Sequence, residues 1–251
     1  MRLELWNCIH RIPWRRRISP WRLAAAAGCA LAIYFAVCAV VGAVLHFCAT
    51  GDRQLLWTIA VLGGIFAQLP AGAGLVLCCL AAPPAKRLLA AKLGIRPLRR
   101  RDWKVIGACV AANLLLCGPV TGVWELVLNA CDIPYRREQE LALMIADGSP
   151  LLIALLLVGA VIVAPVVEEI GFRRVLFGLF RPLGTWPAIL MSCAVFSLVH
   201  GFLLGIPGLF LLGFLFQYAY LRTRNLTAAV LLHMVVNLIA TAAALIEPLF
   251  R

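Results

Sequence analysis

Charge is what this sequence has least of: only 14% of its 251 residues are Asp, Glu, Lys or Arg, against about 25% in a soluble domain. That shortage excludes a soluble globule. Acid is scarcest, with 11 Asp and Glu beside 23 Lys and Arg, and there are only 4 histidines. No Asp lies inside an apolar run, which removes an aspartyl pair. The chain has no HExxH for a zinc helix and no Gly-x-Ser-Gly for a serine–histidine dyad. Internal repeats and low-complexity segments are also missing. The 10 cysteines show no CxxC pairing, and Cys29, Cys38, Cys78, Cys79, Cys109, Cys117 and Cys193 sit in apolar runs. They read as small hydrophobes, with a small allowance for a reactive Cys193 because it falls near the polar motifs below.

What is abundant is apolar sequence: 63% of residues, with a mean hydropathy of +0.96. Runs near the ~20 residues that cross a bilayer recur along the chain. They predict an all-α, polytopic transmembrane bundle of about seven spans, at 23–47, 55–82, 105–128, 151–180, 187–203, 209–221 and 226–246. The fourth is longer than one straight crossing, and the sixth is short unless Ile206 and its neighbours join it. Breakers at Gly51-Asp52, Pro83-Pro84, Pro182 to Gly184 and Gly205 to Pro207 fall between spans.

A net charge of +12 would suggest nucleic acid in a soluble protein, but here the Lys and Arg lie between apolar runs. They report topology instead. With the amino terminus inside, the cytoplasmic side collects the leader arginines, the group from Lys86 to Lys104, Arg173, Arg174, Arg181, Arg222 and Arg224, leaving Arg53, Arg136, Arg137 and Arg251 outside. The expected organisation is a basic leader at 1–22, three amino-terminal helices with their loops at 23–136, and a carboxy-terminal helical part at 137–251. The first run is too long for a cleaved signal and reads as a retained helix. Trp6, Trp14 and Trp21 in the leader read as interfacial anchors. The partners this implies are a lipid bilayer and a membrane-associated substrate, with no nucleic acid. A prokaryotic plasma membrane fits the compact chain.

An ionisable side chain inside a span costs at least ~2.5–3.5 kcal/mol on insertion scales, so each is a functional candidate. Glu125, Glu168 and Glu169 are the acids that qualify and His46, His200 and His233 the histidines, and three polar sites fall on the fourth, fifth and seventh spans. In Ala164-Pro-Val-Val-Glu-Glu-Ile-Gly-Phe-Arg173, Glu169 and Arg173 share a helix face and can neutralise one another, while Glu168 points about 100° away. The bland reading of that motif alone is an ion pair locking a helix end. Phe196 and His200 lie one turn apart, as do His233 and Asn237. Each histidine alone would read as a helix-to-helix hydrogen bond, but three such sites together suit peptide hydrolysis. A carboxylate beside a histidine can orient and deprotonate water, and His233 with Asn237 could donate to the oxyanion that forms. The set Glu168, His200 and His233 could also bind zinc, although a metal-free site is preferred.

These residues resemble the CAAX protease and bacteriocin-processing family, also called CPBP or Abi, whose signature is EExxxR, then FxxxH, then HxxxN. Here it reads Glu168-Glu169-xxx-Arg173, Phe196-xxx-His200 and His233-xxx-Asn237, within roughly 137–237. The resemblance implies a glutamic-type intramembrane endopeptidase acting near the carboxy terminus or leader of its substrate. Glu168 and His200 would activate water, His233 and Asn237 would hold the oxyanion, and Glu169, Arg173 and Phe196 would support them. Two features depart from the family: Arg174 stands where it usually has Gly, and the amino-terminal half resembles nothing known. A non-catalytic scaffold or immunity protein and a proton or metal transporter are the alternatives. The transporter predicts inverted repeats and intramembrane acids in both halves, whereas this chain shows no repeats and its amino-terminal half is nearly free of intramembrane acids.

Helix geometry leaves one conflict. At ~1.5 Å per residue, Glu168 and His233 both fall in the inner half of the membrane, whereas His200, about 20 Å above Pro187, comes out higher.

Overall fold

A computed structural model describes residues 53–80, 94–137, 144–145 and 148–246, with isolated helical positions at 25, 28, 29, 32, 36 and 40. The leader at 1–22 with Trp6, Trp14 and Trp21, most of the predicted first span, the Gly51-Asp52 and Pro83-Pro84 breaks, and Lys86, Arg87, Lys92 and Arg251 lie outside the described residues.

Six helices carry the described chain: α1 (Arg53–Leu80), α2 (Arg100–Ala130), α3 (Pro150–Leu183), α4 (Thr185–Val199), α5 (Ile206–Thr223) and α6 (Leu226–Ile246). Four stretches are long and apolar enough to cross a membrane, namely α2, α3, Leu203–Thr223 and α6. Leu55–Ile65 and α4 are shorter apolar helices. The large apolar side chains Leu114, Leu115, Val123 and Leu126 of α2 face outward, whereas Glu169, Arg173, Gln217 and His233 are buried. Apolar outside and polar inside is the arrangement of a bundle solvated by lipid. The protein is an integral membrane helical bundle.

Several boundaries move from their sequence-based positions for local reasons. α2 begins at Arg100 rather than 105 because the Asp102 carboxylate reaches back to the Arg99 backbone N–H at 2.9 Å and caps the first turn. α4 stops at Val199, not 203, since Gly201 takes a left-handed φ of +62° that ends the helix. The sixth span gains Ile206 and Pro207, the proline sitting in the first turn where its missing N–H costs nothing. α3 starts on a Ser149 cap and is 34 residues long. At ~1.5 Å per residue it is roughly 50 Å, well beyond the ~30 Å hydrocarbon core. Two π-helical segments, Val158–Val163 and Ile170–Leu176, interrupt it on either side of Ala164–Glu169.

α2 and α5 run antiparallel, and a polar latch fixes one of their ends. Arg96 donates to both Asp102 oxygens, at 2.8 and 3.1 Å, and to the Thr223 carbonyl at 2.7 Å. Asn225, in the turn between α5 and α6, accepts from the Arg96 N–H and donates to its carbonyl. This latch gathers Arg96, Arg99, Arg100, Arg101, Lys104, Arg222 and Arg224 at a single end of the bundle. That clustering is what the positive-inside reading requires of a cytoplasmic end.

The core between α3, α4, α5 and α6 holds Phe177, Ile189, Cys193, Phe196, Phe216 and Leu232. Cys193 is fully buried there as a packing residue. Gly213 lets α5 close on α4: a Cβ at that position would stand 3.0 Å from the Phe196 ring.

Candidate active site

α3 supplies adjacent carboxylates to the centre of the bundle, and their surroundings differ. Glu169 is fully buried and accepts from Arg173 Nε at 2.9 Å and Nη2 at 3.4 Å, one turn on. Its Oε1 also lies 3.1 Å from His233 Nδ1 on α6. The Arg173 guanidinium lies among the rings of Phe172, Phe196 and Phe216, at 5.9, 5.2 and 5.6 Å from their centroids. Those aromatic faces offset part of the cost of burying its charge.

His233 is held on two sides. Its ring stacks on Phe216 at 4.4 Å and 25°, and meets Phe196 edge-on at 6.0 Å. The Glu169 carboxylate can only accept, so Nδ1 carries a proton and Nε2 is left open. One turn further along α6, the Asn237 amide donates to the Ala160 carbonyl at 2.7 Å. Ala160 lies in the first π segment of α3, and the second offers the Phe172 carbonyl to the Ser192 hydroxyl at 3.1 Å. Wide turns of this kind recur beside functional sites, and here each ties a neighbouring helix to α3.

His200 caps α4 and is exposed, with its ring 4.7 Å from that of Phe196. Its Nδ1 is 2.7 Å from the Phe196 carbonyl. A carbonyl only accepts, so Nδ1 is again the protonated nitrogen and a neutral ring presents a bare Nε2. Glu168 is half-buried, and its Oε2 is enclosed without a hydrogen-bond partner.

The fold therefore joins Glu169, Arg173, Phe196 and His233 in one cluster, with His200 against the same Phe196. Glu168 and His200 form no hydrogen bond with each other in this structure. Among the described residues no three His, Cys, Asp or Glu side chains form a group that could hold a metal ion. Sequence reasoning missed Phe216, which holds both His233 and Arg173. Its only signal was an aromatic residue among other apolar residues of its span.

A lipid-solvated helical bundle with carboxylates, imidazoles and an arginine at its centre defines an integral membrane protein with a buried polar site. Residues 150–239 match the family described as type II CAAX prenyl endopeptidase Rce1-like. The chain is 31% identical over 86 residues to the "Putative membrane peptidase YdiL" of Bacillus subtilis, covering 34% of this chain and 35% of that protein. It is 33% identical over 94 residues to the membrane-embedded CAAX protease MroQ of Staphylococcus aureus, covering 35% and 38%. The matches thus span little more than a third of the length of these curated relatives. No solved structure matches the chain. The segment that matches this family, residues 150–239, is the one that carries all three motifs.

Proposed function

We propose that this protein is an intramembrane endopeptidase that hydrolyses a peptide bond near the carboxy terminus or leader of a membrane-associated protein. The observation that carries the reading is the enclosed, unpartnered oxygen of Glu168, next to a carboxylate whose oxygens are already committed. A desolvated acceptor without a donor is costly unless something binds there, and a water held between Glu168 and His200 Nε2 would satisfy it. Glu168 takes the proton as that water attacks the scissile carbonyl. Asn237 spends one of its two amide protons on Ala160, and the other is available to the oxyanion. His233 has its Nδ1 proton committed to Glu169, so it would donate from Nε2 only as an imidazolium that shares the Glu169 carboxylate with Arg173. No metal is needed for these steps. With bacterial relatives and several apolar helices, the protein resides in a prokaryotic plasma membrane.

The test is cleavage of a panel of membrane-tethered peptides by purified protein, with His200→Ala and a zinc chelator as arms. Cleavage that survives the chelator and is lost in His200→Ala supports the reading. Loss on chelation would make it a metalloenzyme, and a folded protein that cuts nothing on a broad panel would favour a scaffold.

A further inference from the structure

The segment that bears His200 has little to hold it from within. Beyond His200 the backbone turns through Gly201, makes a short 3₁₀ turn at Leu203–Gly205 and enters α5 at Ile206. Its internal bonds are Gly201 N–H to the Leu198 carbonyl and Gly205 N–H to the Phe202 carbonyl, at 3.1 and 3.0 Å. Non-helical backbone in a membrane protein persists only where neighbouring groups satisfy it. α2 provides such a group: the Trp124 indole N–H donates to the Leu203 carbonyl at 3.0 Å. One and two turns earlier the same helix presses on the start of α5. The Cys117 thiol lies 3.6 Å from the Gly208 carbonyl, and a Cβ at Gly208 would stand 2.8 Å from Thr121 Oγ1. α2 lies wholly outside the 150–239 segment that matches the family.

We infer that Trp124 is a positioning residue: its bond to the Leu203 carbonyl clamps the turn behind His200 and sets where that imidazole stands relative to Glu168. The inference rests on the protease reading above. An amino-terminal helix outside the family-matched segment thereby tunes the site. A displacement near 1 Å of a reacting group can cost as much as ~100-fold in rate, so loosening one hydrogen bond to this turn shows mainly in kcat.

Trp124→Phe removes the N–H and keeps an aromatic ring. An apolar groove of about 400 Å³, lined by Pro119, Val123, Trp124 and Pro207 among others, flanks the indole and lets the smaller ring settle. In proteoliposomes kcat should fall about tenfold with KM within about twofold, and the acidic limb of the kcat–pH profile should move. Hydrogen exchange of the 201–206 amides should speed up while that of 226–237 does not. Leu115→Ala, on the outward face of the same helix, should leave all of these unchanged. Wild-type kcat in Trp124→Phe, unchanged exchange at 201–206, or an equal loss in Leu115→Ala would overturn the clamp. Should wild type cut nothing, the protease reading has failed, and the exchange result alone decides whether Trp124 holds the turn.

Discussion

Glu168 and Glu169 are neighbours in sequence and opposites in circumstance. Glu169 is locked between Arg173 and His233 in a dry core, while Glu168 keeps an enclosed oxygen that nothing in the described structure engages. Glu169→Gln should therefore be a stability mutation first. It strands the Arg173 charge among aromatic rings, and removing one partner of a buried pair costs about 3–5 kcal/mol. The expected result is a clear fall in melting temperature in detergent. Unchanged melting would show that the pair contributes nothing to the fold. The ion pair between Glu169 and Arg173 was legible from spacing, because both lie on one helix. The His233 contact was not, because it joins residues 64 apart, and neither was Phe216, whose apolar neighbours give no hint of which ring meets an imidazole.

At the scale of elements, helix ends carry more of the account than helix interiors. The apolar runs marked the cores of α2 to α6, but their limits depended on local chemistry that hydropathy does not register. Asp102 pulled the start of α2 back into basic sequence, and Gly201 stopped α4 directly after His200. The ~20 Å rise from Pro187 to His200 stands, because α4 is helical from Thr185 through Val199. In the structure His200 closes a helix of 15 residues and folds its ring back on Phe196, the residue His233 also touches. The latch at the basic end is an element-scale device of the same kind. Arg96→Met leaves the fully buried Asp102 carboxylate without its main partner and frees the 94–99 segment from the α5–α6 turn. A loss of about 2–4 kcal/mol is expected, read as earlier unfolding together with faster hydrogen exchange at 94–99. Retained protection there would contradict the latch.

The whole molecule combines a family-matched segment at residues 150–239 with an amino-terminal part outside it. Residues 150–239 carry every motif side chain, yet α2 packs along α5 and supplies both the Asp102 latch at one end and Trp124 near the other. That the chain is a membrane bundle could be read from composition alone, since lipid solvation demands apolar surface and intramembrane charge is costly. How α2 grips the site could not, because its contacts are hydrogen bonds to backbone carbonyls that have no side-chain signature. On the proposed mechanism Glu168, not its paired neighbour, activates the water. That central claim is tested most directly by the cleavage rate of Glu168→Gln against wild type in proteoliposomes, with melting measured on the same samples. A loss of roughly 100-fold or more with unchanged melting is the predicted result; cleavage by Glu168→Gln at the wild-type rate would contradict it.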